Sequence, residues 1–335
     1  MVQKKCLSCR KDNLSRILSL GNMYLSDFVD EKDARKMPKY PLDLILCNHC
    51  HLLQIKDVTS QKELYTERYG YYSGINQTMR KELAGIVKAA IKIVPVKKGD
   101  IVLDIGCNDG TLLKNYKGDV IKVGFDPVKK FGKNFNGKNE IFINDYFNSK
   151  KMTKNFSRKK AKIITAISMF YDLKDPNKFL EDIKACLDSN GIFIIQQNYL
   201  GKMLEQNAFD NIVHEHIEYY SLLSLKNLLE RHGMEITDVI VNDTNGGSFR
   251  TFVSLRGKRK PTSRVLKLLE KERKQALDTK DPYLEFSKRI RHNMDRLNKF
   301  INAEVKKGKS VYSYGASTRG NTLLQYTKLD KKLIS

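Results

Sequence analysis

The sequence predicts an α/β fold built on a doubly wound sheet. Between residues 100 and 200, short apolar runs alternate with stretches of helical periodicity, a pattern typical of buried parallel strands joined by helices. A glycine-containing turn follows the first of these runs, at the edge where such sheets bind ligands. Hydrophobic residues make up 41% of the 335-residue chain, which supplies a sizeable core and excludes a mainly disordered protein.

The first 60 residues carry two Cys-x-x-Cys pairs, Cys6 with Cys9 and Cys47 with Cys50. Two residues between the thiols let one tight turn present both sulfurs to a single ion, and two such turns complete a tetrahedral Zn²⁺ site. Four thiolates leave no open position, so we expect zinc here to stabilise the fold and to take no part in chemistry. A redox pair or disulfides are the alternatives, and neither explains two matched pairs.

The middle of the chain predicts a helix that precedes the doubly wound sheet and seven strands. In residues 61–95 a tyrosine-rich loop precedes a stretch whose apolar side chains recur at helical spacing. Residues 236–241 and 248–255 predict two strands of an antiparallel hairpin, because a short Asn-Gly-Gly turn separates them. The strands predicted for the doubly wound sheet are residues 101–105, 120–125, 141–143, 163–167 and 192–195.

The last 75 or so residues predict helices and one more βα unit. The charged stretch 263–308 predicts one or two long helices, interrupted near Asp281 and Pro282. Residues 309–314 predict a strand that leads through a glycine-containing turn into a helix starting near Thr322. One strand and one helix cannot close a parallel sheet, so we expect this unit to dock elsewhere or to belong to a shortened domain.

The turn after the first strand of the sheet is the candidate ligand site. Gly106 permits a tight turn and a close approach of the backbone to a ligand. No lysine follows this turn, which excludes a phosphate-binding P-loop, and Asp104 at the strand end would repel phosphates. Asp126 ends the next strand, where a carboxylate can accept hydrogen bonds from both hydroxyls of a ribose.

This arrangement of strand-end acids and glycines resembles the class I S-adenosylmethionine (SAM) methyltransferases. The resemblance implies that Gly106 and its neighbours line the methionine part of SAM and that Asp126 holds the ribose. It implies that the residues after the third strand hold the adenine and that those after the fourth close over the cofactor. A Rossmann-like domain that binds NAD, or no ligand, is the alternative. The implied cofactor-binding residues are Asp104, Gly106, Asn108, Gly110, Asp126, Asp145, Tyr146 and Ser168.

Residues 209–221 hold the densest cluster of titratable side chains, with His214, Glu215 and His216 at its centre. The two histidines are two residues apart, so they would lie on opposite sides of a helix but share a face of an extended segment. A histidine can act as a base near neutral pH, and an adjacent glutamate can assist it. A polar surface loop with a buried histidine explains the local pattern equally well, and a second metal site is a weaker alternative.

Taken in order, the motifs resemble the sugar C-methyltransferases. The matching segments are Cys-x-x-Cys with Cys-Asn-His-Cys-His-Leu-Leu-Gln, then residues 69–73, 104–111, 211–221, 246–250 and 314–322. The resemblance implies a class I methyltransferase sheet with a small N-terminal zinc module and a truncated C-terminal α/β element. It divides the chain into a zinc-binding module (1–60), a methyltransferase domain with a helical linker at 61–95 (61–260), and a helical segment with the start of a Rossmann-like domain (261–335).

Members of that family methylate carbon 3 of a nucleotide-linked 4-keto-deoxysugar, with SAM as the methyl donor. The resemblance implies that His216 is the base, that Glu215 is paired to it and that His214 shapes the pocket. Tyr71 or Tyr72 would position the sugar or stabilise its enolate. Two departures stand out: Val213 replaces a tyrosine of some members, and the C-terminal domain ends short of a typical member. We therefore expect either a fragment or a substrate held in a different way.

Charge and hydropathy limit the partners. The chain has 61 Lys and Arg against 38 Asp and Glu, a net charge of +23. That charge and a zinc module suit an RNA methyltransferase, but no base-methylating motif is present, so a nucleotide-sugar substrate is favoured over nucleic acid. A non-catalytic SAM-binding relative is a third hypothesis. No apolar run approaches the ~20 residues of a membrane span, and we expect a cytoplasmic chain in which Arg250 or Arg319 grips a diphosphate.

Overall fold

The fold is described from a computed structural model of the chain. It describes residues 2–26, 37–60, 64, 70–157, 159–315 and 317–334. Tyr69 and Ala316, which belong to two of the motifs above, and Ser335 lie outside the described residues.

The centre of the molecule is a seven-stranded mixed sheet of order β10-β11-β8-β7-β4-β5-β6. Five parallel strands occupy the positions predicted for them, and the β10–β11 hairpin adds to β8 with β11 antiparallel. The parallel strands are buried because helices and turns cover both faces of the sheet. The strands are β4 (Ile101–Ile105), β5 (Ile121–Phe125), β6 (Glu140–Ile143), β7 (Ala161–Ile167), β8 (Leu187–Asn198), β10 (Met234–Asn242) and β11 (Ser248–Leu255).

A second, four-stranded sheet of order β1-β2-β3-β9 lies at the N-terminal end of the chain. The sequence pattern of residues 1–60 predicts no strands, because the irregular pairing of the first two strands gives them no clean alternation of apolar and polar side chains. The fourth strand comes from the segment that follows His216, so the two halves of the molecule share this sheet. The strands are β1 (Leu14–Tyr24), β2 (Lys39–Cys47), β3 (Leu53–Ile55) and β9 (Glu218–Tyr219).

Helices cover the sheets and follow the predicted pattern. The first helix is capped by Asn76, whose side chain accepts hydrogen bonds from two backbone amides of the first turn. Pro282 lies in the first turn of the longest helix, where a backbone N–H would have no partner within the helix. The helices are α1 (Gln77–Ile93), α2 (Ser149–Phe156), α3 (Pro176–Cys186), α4 (Leu200–Glu205), α5 (Leu222–Arg231), α6 (Ser263–Lys274), α7 (Asp281–Lys306) and α8 (Thr318–Thr327).

The strand predicted at residues 309–314 is wrong. Those residues pair with no sheet among the described residues, and Tyr312 and Tyr314 are largely exposed. Helix α8 begins at Thr318, four residues before the predicted start, and contacts β1 and the turn Phe209–Asn211. The C-terminal unit therefore packs on β1 and on this turn and adds no strand to the central sheet, which agrees with the expectation that it docks elsewhere.

Across the described part of the chain, no helix is both long enough and apolar enough to cross a membrane.

Candidate active site

A cavity of about 310 Å³ opens at the carboxyl ends of the parallel strands β4, β5, β6 and β7. This is the edge at which open α/β sheets bind their ligands. Most of the predicted cofactor-binding residues converge there, together with one of the two predicted tyrosines. The predicted residues that line the cavity are Tyr71, Gly106, Asn108, Asp126, Asp145, Tyr146 and Ser168.

Asp126 is a buried carboxylate on the wall of this cavity. Its Oδ2 accepts a hydrogen bond from the backbone N–H of Asn108 at 2.9 Å, and its Oδ1 accepts one from that of Val128, also at 2.9 Å. Burial raises the pKa of Asp126, and the two backbone hydrogen bonds oppose that rise. Each oxygen keeps a second lone pair, so the carboxylate is held in a fixed orientation in which it can still accept hydrogen bonds from a ligand.

Gly106 adopts the backbone conformation that a tight turn at its position requires. Its φ angle is +69°, and a Cβ at this position would lie 3.0 Å from Cγ of Met169. Any side chain here would be strained and would press on the cavity wall. Ser168, which also lines the cavity, has a positive φ as well, and its backbone N–H donates to the carbonyl of Gln196 at 2.7 Å.

Asn108 fixes the tyrosine loop against the glycine turn. Its Oδ1 accepts from the N–H of Ser73 at 2.9 Å, and its Nδ2 donates to the carbonyl of Tyr71 at 3.0 Å. Tyr71 consequently lines the cavity, whereas Tyr72 packs edge-on against Phe131 and faces an outer groove. Burial raises the pKa of Tyr71, so its hydroxyl stays protonated at neutral pH.

Asp145 and Tyr146 border the far end of the cavity. Asp145 forms an ion pair with Lys151 and accepts a hydrogen bond from the N–H of Tyr146 at 2.7 Å. The side chain of Tyr146 is 44% exposed, which leaves an aromatic face available to a flat ring.

Asp104 and Gly110 do not line the main cavity. Asp104 lies beneath the glycine turn, where its Oδ1 accepts from Oγ1 of Thr165 at 2.6 Å and burial raises its pKa to about 7. A Cβ on Gly110 would lie 3.0 Å from the ring of Phe135, away from the cavity. Both residues shape the turn from behind, and direct contact with a cofactor stays a prediction for them.

His216 is held by the backbone through one of its two ring nitrogens. Its Nδ1 lies 2.9 Å from the carbonyl oxygen of Asn211, and because a carbonyl only accepts, Nδ1 carries the proton and Nε2 the lone pair. The ring packs edge-on against Tyr171, with the centroids 4.4 Å apart. Burial is the main cause that lowers the pKa of His216 to about 4, and the charge of Arg319 adds to it, so the ring is neutral at pH 7.

His216 lines a separate cavity of about 10 Å³ together with Tyr171 and Glu218. Asp172, the residue after Tyr171, lines the 310 Å³ cavity, so a single short turn separates the two spaces. Because Nδ1 of His216 donates to a backbone carbonyl, its pairing with Glu215 stays a prediction.

His214 and His216 do not lie in a regular extended segment. The backbone bends at residues 214 and 215, and the two rings contact different neighbours. His214 is buried against β2, where its Nε2 lies 3.2 Å from the carbonyl oxygen of Tyr40. Burial lowers its pKa, and this neutral ring joins the segment to the N-terminal sheet.

Both arginines expected to grip a diphosphate are already paired. Arg250 is 6% exposed and donates from Nη2 to Glu82 at 2.6 Å and from Nε to Oε1 of Gln196 at 2.8 Å. Nε of Arg319 lies 2.7 Å from Oδ2 of Asp210. Each guanidinium thus has an internal structural partner that the sequence did not reveal.

The four cysteines of the two Cys-x-x-Cys pairs come together as predicted. Their sulfurs all lie within 4.8 Å of one another, and the closest contacts, Cys6 with Cys50 and Cys9 with Cys47, are 3.5 Å. Tetrahedral zinc with Zn–S bonds of ~2.3 Å places its sulfurs roughly 3.8 Å apart. The set therefore fits Zn²⁺ with four thiolate ligands.

Three family models match successive parts of the chain. Residues 6–65 match a zinc binding domain, residues 75–239 a methyltransferase domain, and residues 243–335 the C-methyltransferase C-terminal domain. The three matches follow one another along almost the whole sequence.

Individual relatives differ in how much of the chain they share. The C-methyltransferase NovU of Streptomyces niveus is 28% identical over 325 residues, which cover 96% of this chain and 77% of that protein. A tRNA U34 carboxymethyltransferase of Campylobacter jejuni is 29% identical over 147 residues, 42% of this chain and 50% of that protein. The solved SAM-dependent methyltransferase of Clostridium acetobutylicum aligns with a TM-score of 0.41 and 15% identity, covering 53% of this chain and 92% of that one.

Proposed function

This chain belongs to the SAM-dependent C-methyltransferase family, and on that premise we propose that it methylates the carbon beside the ketone of a nucleotide-linked 4-keto-deoxysugar. One observation carries the proposal: His216 holds an unprotonated Nε2 one short turn away from the cofactor cavity. A carbon acid needs such a base, whereas transfer to an amine or a thiolate does not.

The chemistry divides between the cofactor and the chain. Bound SAM supplies an electrophilic methyl group on a sulfonium. Nε2 of His216 removes the proton beside the ketone, and the electron pair left behind on the sugar is the nucleophile. Because its pKa is near 4, the resting His216 ring is unprotonated at neutral pH, and the proton that it takes from the sugar would pass to water before the next turnover.

Tyr71 is the better candidate of the two tyrosines for stabilising the enolate. It lines the cavity, and its raised pKa keeps the hydroxyl available as a hydrogen-bond donor. A donor that lies ready where negative charge develops lowers the barrier without reorganisation. Tyr72 faces outward and would have to exchange places with Tyr71 to do the same.

The cofactor would lie along the 310 Å³ cavity. Its ribose hydroxyls would donate to Asp126, and its adenine would lie at the end bordered by Asp145 and Tyr146. Gly106 and Ser168, which both line the cavity, would face the methionine part.

The experiment combines the purified chain, SAM and thymidine- or cytidine-diphospho-4-keto-6-deoxysugars, with the methylated sugar detected by mass spectrometry. We expect His216→Asn to abolish transfer, because an asparagine amide cannot accept the proton of the sugar. Asparagine can still donate a hydrogen bond to the Asn211 carbonyl, so the local structure should be kept. The binding of SAM, measured by calorimetry, should be unchanged. His292→Asn on the exposed side of α7 is the matched control and should be fully active.

The proposal fails if SAM binds and no such sugar is methylated. It also fails if His216→Asn keeps wild-type turnover. The tRNA-modifying relative matches 42% of this chain against 96% for the C-methyltransferase, so a sugar is tested before RNA.

A further inference from the structure

The contacts of helix α8 converge on the segment that leads into His216. The Oγ1 of Thr322 donates to the carbonyl of Ile212 at 3.2 Å, and Thr322 is almost fully buried. The ring of Tyr326 packs on that of Phe209, with centroids 5.6 Å apart. The ion pair of Arg319 with Asp210 completes the set.

These contacts enclose the residue that orients the base. Phe209, Asp210 and Ile212 are each held by α8, so Asn211 between them cannot move independently. The carbonyl of Asn211 accepts the hydrogen bond from Nδ1 of His216, which sets both the tautomer and the ring angle. A shift of residues 209–212 would therefore rotate the ring or release the proton to the other nitrogen.

Helix α8 is itself anchored at two further places. The amide of Gln325 bonds both backbone groups of Tyr24 in β1, at 2.7 Å to its N–H and at 3.3 Å to its carbonyl. Nη1 of Arg319 also donates to the carbonyl of Asn245, in the turn between β10 and β11, at 3.3 Å. Gly246 in that turn leaves space for the guanidinium, since a Cβ there would lie 2.9 Å from Nη1.

We propose that Arg319 is a positioning residue for the base: it clamps residues 209–212 between the β10–β11 turn and helix α8, and so fixes the orientation of the His216 ring. The inference rests on the proposed function for its catalytic consequence only. Its structural part, that Arg319 determines the ring state of His216, stands apart from the identity of the substrate.

The clamp depends on geometry more than on the strength of one ion pair. Arg319 and Asp210 are 36% and 26% exposed, and pairs at such exposure contribute little to stability by themselves. A planar guanidinium can nevertheless bond a carboxylate and a carbonyl in fixed directions at once, which the ammonium of lysine reproduces only in part. Loss of Arg319 should consequently affect the orientation of the base more than the folding of the chain.

The test compares Arg319→Ala, Arg319→Lys and Asp210→Asn with Arg273→Ala. Arg273 is a matched control because it pairs with Glu270 on the exposed face of α6. The first readout needs no substrate: long-range ¹H–¹⁵N NMR of the histidine rings, with the His216 signals assigned by their loss in His216→Asn. Wild type should show a single neutral tautomer protonated at Nδ1.

We expect Arg319→Ala and Asp210→Asn to shift or broaden the His216 signals and to lower kcat by roughly 10- to 100-fold, the penalty typical of a slightly misplaced catalytic group. The affinity for SAM should stay within about twofold of wild type, since Arg319 does not line that cavity. Arg319→Lys should recover part of the loss, and Arg273→Ala should change neither readout.

The proposal is overturned if Arg319→Ala leaves the His216 signals unchanged, whether or not a sugar is methylated. If the alanine variant is unstable, the NMR spectrum of Asp210→Asn decides in the same way. Failure of the proposed function shows itself differently, as absence of turnover in a wild-type protein whose His216 signals are as expected.

Discussion

A buried acid beneath the glycine turn makes the stability of the chain depend on pH. Asp104 is 3% exposed, and burial raises its pKa to about 7, with the Thr165 hydrogen bond opposing the rise. Because the folded pKa exceeds the ordinary value of 3.8, the folded state holds a proton that the unfolded state has already lost between about pH 4 and 7. This stabilisation is complete below pH 4 and is lost as the pH rises to 7.

Asp104→Asn should remove that dependence, because asparagine keeps an acceptor for Thr165 and cannot ionise. Relative to wild type, the variant should gain about 2 kcal/mol in the free energy of unfolding between pH 5 and pH 8. Urea unfolding at the two pH values measures the difference. Asp119→Asn, at an exposed position, is the control and should follow wild type. Parallel curves for Asp104→Asn and wild type would contradict the assignment.

Asp126 should account for a large part of the affinity for SAM. Its carboxylate is oriented by the amides of Asn108 and Val128, and hydrogen bonds to a charged acceptor are worth about 1.5–3 kcal/mol each. We expect Asp126→Ala to weaken SAM binding at least tenfold by calorimetry. Thermal unfolding without SAM reports any loss of fold, and Asp119→Ala is the control. Unchanged affinity in a folded Asp126→Ala protein would rule out the ribose contact.

For single residues, the sequence was sufficient where the adjacent strand determines the position of the side chain. Asp126 and Tyr146 come just after strands, and parallel strands bring such positions to one edge whatever the loops do. The choice between Tyr71 and Tyr72 could not be predicted, because it depends on hydrogen bonds to Asn108 from a loop 35 residues earlier in the sequence. The internal partners of Arg250 and Arg319 are likewise distant in sequence.

Among the secondary-structure elements, the sequence predicted the strands that have parallel neighbours on both sides. It did not predict correctly the segment that has no strand beside it. The runs at β4 and β7 are continuously apolar because both faces are covered, and that composition is visible in sequence. Residues 309–314 carry β-forming Val and Tyr side chains, but they pair with no sheet among the described residues, and most of them are exposed. Strand propensity describes how well a segment would pack in a sheet. The tertiary structure decides whether a neighbouring strand is available for pairing.

The net charge of +23 concerns the whole molecule. Basic side chains are paired with acids on many elements, including Arg10 with Asp175, Arg264 with Asp238 and Lys271 with Glu205. A nucleic-acid interface would instead gather unpaired basic groups on one face. The charge alone therefore identifies no substrate, and the carbon-methylating chemistry has to be argued from the site.

The four-stranded sheet connects the cysteine cluster to the segment that holds His216. Strand β9 begins two residues after His216 and pairs with β3, with Leu53 opposite Tyr219. Strand β3 follows the second cysteine pair closely, and Gln54 in β3 accepts a hydrogen bond from the N–H of Leu7 in the first pair. The cofactor cavity, in contrast, is built on strands of the other sheet. A disturbance at the cysteines should therefore reach His216 before it reaches the SAM site.

Removal of the metal should separate methyl transfer from cofactor binding. The protein as purified should contain one zinc per chain, and Cys9→Ser should lower that content, whereas Cys186→Ser, outside the cluster, should keep it. After chelation we expect transfer to fall steeply while SAM affinity stays near wild type, because loss of a structural zinc releases the fold that its ligands hold together. Elemental analysis, calorimetry and the transfer assay measure the three quantities on one sample. Equal loss of SAM binding and transfer would show that the two sheets fail together, and full transfer without zinc would show that the module has no influence on the base.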